Sequence, residues 1–145
     1  MEKFKISLFE KEYNKNFPDY YSLTVSECSA LKALITKRFE IDTQNIEQSL
    51  FSKLSFYEHS NALEHFSLHD VLNRHDILPL NDVYINWSQF EKIDSISTQD
   101  LAQYFDDIWF PSAEDIDIFD KSLGWLLYIR HDGCIYFYKQ PKITG

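Results

Sequence analysis

The sequence contains few of the residues that interrupt regular structure: its 145 residues include three glycines and four prolines. This scarcity argues against a disordered or linker-rich chain. It also leaves too little glycine for the loops that cradle phosphate groups. No apolar run approaches the roughly 18 residues that a membrane-spanning helix needs. The first residues lack the apolar core and cleavage site of a signal peptide, so we expect a cytoplasmic protein.

Thiols are equally scarce, since Cys28 and Cys134 are the two cysteines of the chain. In a chain without an export signal, two distant cysteines are typically buried free thiols. The sequence has no Cys-x-x-Cys, His-Glu-x-x-His or Gly-x-Ser-x-Gly pattern, which are signatures of metal sites and of serine hydrolases. We therefore expect no cofactor and no enzymatic activity.

Basic residues are rare in the middle of the chain. Residues 61–121 hold thirteen acids against Arg74, Lys92 and Lys121, a net charge of −10, whereas the whole chain has a net charge of −9. A protein with one acidic, aromatic-rich stretch is suited to binding something basic. The same acidity argues against nucleic acid and against an anionic membrane surface, because both need a basic footprint.

The composition and the helix signals predict the fold class. Hydrophobic residues make up 44 % of the chain, enough for the core of one domain spanning residues 1–145. Thr24-Val-Ser-Glu27 is a capping box, and apolar residues then recur at helical spacing, which predicts a helix over 25–39. We expect an α+β protein with a helical N-terminal half and an antiparallel sheet that ends in a C-terminal β-hairpin.

The hairpin is the strongest short-range signal. Asp132-Gly133 separates two β-prone runs, Trp125–His131 and Cys134–Lys139, and this dipeptide favours a tight two-residue turn. A turn of that length pairs Ile129 with Tyr136. Both faces of the hairpin are largely apolar, so we expect it to be covered on both sides or to pack centrally.

Other segments carry weaker signals. Alternating polar and apolar residues predict a strand over 3–9, and β-prone residues predict strands over 83–87 and 107–110. Ser112-Ala-Glu-Asp115 has the pattern of a helix start, which predicts a helix through Phe119.

The candidate binding site lies where carboxylates surround an aromatic anchor. Trp109 follows Asp106 and Asp107 and precedes Pro111, an arrangement expected of a hot spot for a cationic surface. The predicted partner-binding residues are Asp106, Asp107, Trp109, Glu114, Asp115 and Asp117. The same carboxylates are also compatible with a solvated acidic face or with acid–base catalysis.

The histidines offer an alternative. His59, His65, His69 and His75 occur within 17 residues, among several carboxylates, and imidazole and carboxylate groups are zinc ligands. This cluster keeps open a metal-dependent hydrolase, although Ser67 has the pattern of an N-cap that would separate His65 from His69.

The segment from Asp107 to Asp120, followed by Trp125 and His131-Asp-Gly133, resembles a pattern in small bacterial immunity proteins encoded beside polymorphic toxins, such as those of contact-dependent inhibition systems. The resemblance implies a cytoplasmic inhibitor that binds one toxin tightly. Such toxins are often basic nucleases, and their inhibitors often mimic the charge of nucleic acid. A general interaction or adaptor domain with another protein partner is the first alternative, and the sequence leaves the oligomeric state open.

Overall fold

The computed structural model describes residues 1–64, 66–111 and 113–141. The helices are α1 (Lys3–Tyr13), α2 (Val25–Phe39), α3 (Ile46–Phe51), α4 (Leu68–Arg74), α5 (Thr98–Gln103) and α6 (Phe105–Ile108). The strands are β1 (Tyr20–Ser22), β2 (Ser55–Tyr57), β3 (Asp82–Ser88), β4 (Lys92–Ser97), β5 (Ile116–Phe119), β6 (Trp125–Ile129) and β7 (Ile135–Lys139).

The strands form one antiparallel sheet in the order β1-β4-β3-β5-β6-β7-β2. The longer strands occupy the middle, and the three-residue strands β1 and β2 form the edges. Short edge strands limit unwanted pairing with other chains. The predicted α+β class, with helices early and a C-terminal hairpin, is confirmed.

Helices cover both faces of this sheet. One buried cluster joins α1, α4, α5 and α6 to residues such as Ile118 and Leu127. The other joins α2 and α3 to Phe119 and Leu126. These two residues respectively follow Ile118 and precede Leu127 in the chain and point to the opposite face. Successive side chains of a strand alternate between faces, so apolar residues on both faces of the central strands give the sheet two cores. The expectation that the hairpin is covered on both sides is confirmed.

Helix α2 matches its prediction from end to end. The Thr24 hydroxyl accepts a hydrogen bond from the backbone N–H of Glu27, and the Glu27 carboxylate accepts one from the N–H of Thr24. These two bonds satisfy amide groups that lack partners within the first helical turn. Cys28, Leu31 and Ile35 then bury one face of the helix.

The hairpin forms as predicted, but its predicted register is wrong by one residue. Ile129 pairs with Ile135, not with Tyr136. The Arg130 N–H donates to the Cys134 carbonyl (2.9 Å), and the Gly133 N–H donates to the Arg130 carbonyl (2.7 Å). The loop therefore has three residues, and Gly133 closes it with a φ of +87°, as in turns that end in a left-handed glycine.

The predicted strand over residues 3–9 is helix α1. Its buried residues are Lys5 and Phe9, which are four apart and so share one face of a helix. A lysine is normally exposed. If Lys5 is taken as exposed, the spacing of four between buried residues 5 and 9 is not visible in the sequence. The buried lysine is the physical reason for this wrong prediction.

Two predictions for the segment from α6 to β5 are also wrong. Residues 105–108 form α6, where a strand was expected over 107–110. Ile116–Phe119 is the central strand β5, where a helix was expected, and Ser112, its predicted start, lies outside the described residues. The Asp-Ile-Asp-Ile alternation over 115–118 has the period of a strand, and it prevails over the capping pattern.

Both cysteines are free thiols, Cys28 buried and Cys134 half-buried. Among the helices of the described residues, none is both long and apolar enough to cross a membrane.

Candidate functional site

An open groove of about 480 Å³ lies beside the start of α1. Its walls come from α1 and the residue before it, α3, the adjoining ends of β3 and β4, and the segment between α6 and β5. The lining residues are the acids Glu2, Glu47, Glu114 and Asp115, the aromatics Phe4, Trp87 and Phe110, and Ser88, Lys92 and Ala113. We call this the acidic groove. Its volume lies within the range of about 300–1,000 Å³ typical of ligand sites.

A buried lysine lies against these walls. The Lys5 side chain is fully buried, and its Nζ donates to the Ile108 carbonyl (2.9 Å) and to both carboxylate oxygens of Glu114 (2.6 and 2.8 Å). The same Nζ lies 4.1 Å from the centre of the Trp87 ring and 5.2 Å from that of Phe110. An ammonium group taken from water needs such a complete set of partners.

The aromatic wall is partly open to solvent. Phe4 is 48 % exposed, although the next residue, Lys5, is buried. Its ring meets that of Phe110 edge to face, with the ring centres 5.5 Å apart. The Phe110 N–H is held by Glu114 Oε1 at 3.0 Å, so the lysine partner also fixes the aromatic wall.

Three other carboxylates of the groove are exposed. Glu47 Oε1 accepts from the Gln89 N–H (2.7 Å), and Asp115 Oδ1 accepts from the His131 N–H (2.6 Å) and lies 2.9 Å from His131 Nδ1. Glu2 precedes α1 and makes no side-chain capping bond. Lys5 neutralises Glu114. The remaining lining residues hold three carboxylates and one cation, Lys92, so the groove is net negative.

Two predicted contact residues are accessible on another part of the surface. Asp106 is exposed, and the half-buried Asp107 accepts a hydrogen bond from the Tyr13 hydroxyl (2.8 Å). Tyr13 ends α1 whereas the groove lies at its start, so these two acids lie towards the other end of α1 and do not line the groove. The predicted residues do not form one continuous patch.

Two other predicted contact residues are buried, which corrects their assignment to an exposed surface. Trp109 is 2 % exposed and donates its indole N–H to the Glu114 carbonyl (3.0 Å), so it is not an exposed anchor. Asp117 is 5 % exposed and accepts from Asn86 Nδ2 (2.8 Å). Burial raises the pKa of Asp117 to about 7, because a carboxylate loses its hydration there.

The mixture of acids and aromatics is in part architectural. Trp87 donates its indole N–H to Asp94 (2.9 Å), and Trp125 donates to Asp120 (2.8 Å). Asp94 and Asp120 are buried. Tryptophans in a core need acceptors for their N–H groups, and the acidic stretch provides them. Proximity of acids and aromatics in sequence therefore overstated the acidic surface.

The described histidines include His75, which packs among aromatic rings. The His75 ring stacks on Phe137, with the ring centres 3.8 Å apart, and packs edge to face on Tyr57. Burial lowers the pKa of His75. His65 lies outside the described residues, and within those residues no group of three or more His, Cys, Asp or Glu side chains is placed to hold a metal ion.

Sequence reasoning missed most of the groove. Glu2, Phe4 and Glu47 lie outside the acidic stretch, and no local pattern connects them to Phe110 or Asp115. Only the pairing of distant segments brings them together. We find no match for this chain among protein-family models, curated proteins or solved structures.

Proposed function

We propose that this protein is a cytoplasmic immunity protein that neutralises a cognate basic toxin, a nuclease, by stoichiometric binding. The acidic groove carries the proposal, since carboxylates from separate segments surround an exposed aromatic ring there. The resemblance of residues 107–133 to immunity proteins supports it as well. Asp106 and Asp107 add a second acidic area towards the other end of α1.

Electrostatics suits this role. Carboxylates facing a basic cleft steer a partner into place and raise the association rate, an effect that salt weakens. A nuclease must bind phosphates with basic side chains, so an inhibitor that pairs with those side chains blocks the substrate without any chemistry of its own. The exposed acids Asp106 and Asp115 and the half-buried Asp107 remain the contact residues that we propose, together with the groove.

Co-purification tests the proposal. A tagged protein is isolated from its native host at low salt, its partner is identified by mass spectrometry, and the complex is titrated with salt. We expect one basic partner in a 1:1 complex, and we expect one equivalent of the protein to abolish the partner's nuclease activity. An acidic or neutral partner, or a partner that stays active when saturated, overturns the toxin assignment and favours the adaptor alternative.

A matched pair of variants tests the surface. The triple variant Asp106→Asn, Asp107→Asn, Asp115→Asn should associate about tenfold more slowly with the partner and show a flatter salt dependence. The control triple Asp19→Asn, Asp76→Asn, Asp82→Asn changes the net charge equally at exposed positions that do not line the groove. Equal effects of the two triples would leave only an overall charge effect, and unchanged binding would show that the assigned surface is wrong.

A further inference from the structure

The acidic groove has the features of a socket for a cationic side chain. Glu2, Glu47 and Asp115 are exposed at its rim, and Phe4 presents nearly half of its surface to solvent. Carboxylates attract a cation, and the face of an aromatic ring attracts one through its quadrupole. An anionic ligand would be repelled, and a neutral one would gain nothing from the net negative charge of the groove.

Lys5 already demonstrates this chemistry from the inner side of the wall. Its ammonium group rests on the rings of Trp87 and Phe110 and pairs with Glu114. The pair is internally neutral, so Glu114 is not available to a ligand and Lys5 does not cancel the three rim carboxylates. What remains for an incoming group is the exposed Phe4 and the charges of Glu2, Glu47 and Asp115, of which Lys92 offsets one.

These remaining elements fit a guanidinium group better than an ammonium group. A guanidinium is planar, so it stacks on an aromatic face while its five N–H donors reach carboxylates at the edge. It is also more weakly hydrated than an ammonium, which lowers the cost of leaving water. The groove is large enough for the whole side chain and part of its backbone.

We propose that the acidic groove binds an arginine side chain of the partner protein, with the guanidinium over Phe4 and paired with Glu2, Glu47 and Asp115. The proposal rests on the proposed function for the source of the arginine, but not for the chemistry of the groove. The partner's arginine then acts as the anchor, and the protein provides the pocket.

A neutral isostere tests the recognition directly. The full chain, labelled with ¹⁵N, is titrated with three peptides of the form acetyl-Gly-X-Gly-amide, in which X is arginine, lysine or citrulline. We expect saturable shifts for arginine at the amides of Phe110 and Glu114 and at the Trp87 indole, with a dissociation constant on the order of millimolar. Lysine should bind more weakly, and citrulline, which keeps the shape but not the charge, should give no saturable shift.

Matched variants locate the site. Glu47→Gln keeps the acceptor for the Gln89 N–H and should weaken arginine binding about twofold to fivefold, whereas Glu12→Gln makes the same change at an exposed position of α1 outside the groove. Phe4→Leu should weaken binding as well, and its control is Phe56→Leu on β2, where the ring is 56 % exposed. Equal shifts with citrulline, shifts away from the groove, or no response to Glu47→Gln and Phe4→Leu would overturn the proposal.

The two proposals fail in different ways. If arginine peptides bind in the groove but the partner is not basic, the immunity role is wrong and the arginine socket stands. If a basic toxin is bound with the same affinity by Glu47→Gln and Phe4→Leu as by the wild type, the socket is wrong and the immunity role stands.

Discussion

The ammonium group of Lys5 lies 2.6 and 2.8 Å from the two carboxylate oxygens of Glu114, across 109 residues of sequence. This ion pair joins α1 to the segment that leads into β5, the middle strand of the sheet. The side chain of Lys5 is fully buried and that of Glu114 is 14 % exposed. Because Glu114 also accepts from the Phe110 N–H, this interaction connects helix α1 to the aromatic side of the groove.

Replacing the buried lysine should destabilise the whole protein. Lys5→Met removes the cation but retains much of the apolar stem, and it leaves the Glu114 carboxylate without its partner in a site with little water. Breaking one side of a buried ion pair costs about 3–5 kcal/mol. Urea denaturation followed by circular dichroism measures this loss, and Lys11→Met, at an exposed position of α1, should change the free energy of unfolding by less than about 0.5 kcal/mol.

The double variant separates charge from packing. Lys5→Met combined with Glu114→Gln removes both charges, so the penalty of an unpaired carboxylate disappears and part of the lost stability should return. A double variant as unstable as the sum of the two single variants would show that the ion pair does not couple the two residues.

Asp120 should be intolerant even of asparagine. Its Oδ2 accepts from the Leu80 N–H (3.0 Å) and the Trp125 indole (2.8 Å), and its Oδ1 accepts from the N–H and hydroxyl of Ser122. In Asp120→Asn, whichever position the NH₂ group takes, it faces donors rather than acceptors. Since hydrogen bonds to charged groups contribute about 1.5–3 kcal/mol each, we expect a loss of at least about 3 kcal/mol.

Chemical denaturation and the near-ultraviolet circular dichroism of Trp125 measure the effect of Asp120→Asn. Asp106→Asn is the matched control, because Asp106 is exposed and the same chemical change there should leave stability within about 0.5 kcal/mol. A wild-type stability for Asp120→Asn would mean that water, not the carboxylate, satisfies the indole and the backbone.

Gly124 and Gly133, the two glycines among the described residues, should respond differently to alanine. Gly133 has a φ of +87°, and a Cβ there would lie 2.8 Å from Leu63 Cγ and would also collide with the Asn61 side chain. The left-handed conformation alone costs an alanine about 1–2 kcal/mol, so Gly133→Ala should lose at least about 2 kcal/mol. At Gly124 the nearest atom to such a Cβ is 3.4 Å away, and Gly124→Ala should change thermal stability little.

Equal melting temperatures for Gly133→Ala and Gly124→Ala would contradict the three-residue loop. The loop also marks where sequence reasoning succeeded and where it stopped. Asp132-Gly133 correctly located the hairpin, because a local glycine signal is sufficient for that. Two-residue and three-residue hairpin loops can both use a glycine with positive φ, so this local pattern does not choose between them.

The same division holds for the helices and the site. Helix α2 was predicted with the correct bounds because its capping box and its apolar face both indicate the same helix. Helix α1 was missed because its buried face includes Lys5, whose partner Glu114 is distant in sequence. Trp109 was misplaced because its indole acceptor, the Glu114 carbonyl, makes it a core residue, and only the folded chain shows this. A long-range pair explains the error at α1, whereas the errors at Trp109 and β5 arise within a few residues of sequence.

Asp117 provides the clearest prediction of a pH dependence. The pKa of its carboxyl rises from 3.8 to about 7 because it is buried, and Asn86 on β3 offsets this rise only partly. Glu47 on α3 and Asp115 add negative charge around it, and the Tyr128 hydroxyl group on β6 has its own pKa raised, chiefly by burial. The folded protein therefore keeps a proton on Asp117 that the unfolded chain has already lost.

Between pH 4 and pH 7 the folded state binds more protons at Asp117 than the unfolded state, so this group lowers the free energy of unfolding as the pH rises. A shift from 3.8 to about 7 corresponds to a penalty of about 4 kcal/mol at pH 8. Asp117→Asn keeps the shape of the side chain and can accept from Asn86 without a charge, so it should be more stable than the wild type at pH 8 and similar to it at pH 4.

Urea denaturation of the wild type and Asp117→Asn at each pH measures this difference, with Asp19→Asn as an exposed control. Taking the difference removes the contribution of His75, whose lowered pKa acts in the opposite direction by destabilising the fold below about pH 6.5. A difference between wild type and Asp117→Asn that stays constant from pH 4 to pH 8 would mean that Asp117 is ionised in the folded protein, and hence that water or a cation reaches it between α3 and the sheet.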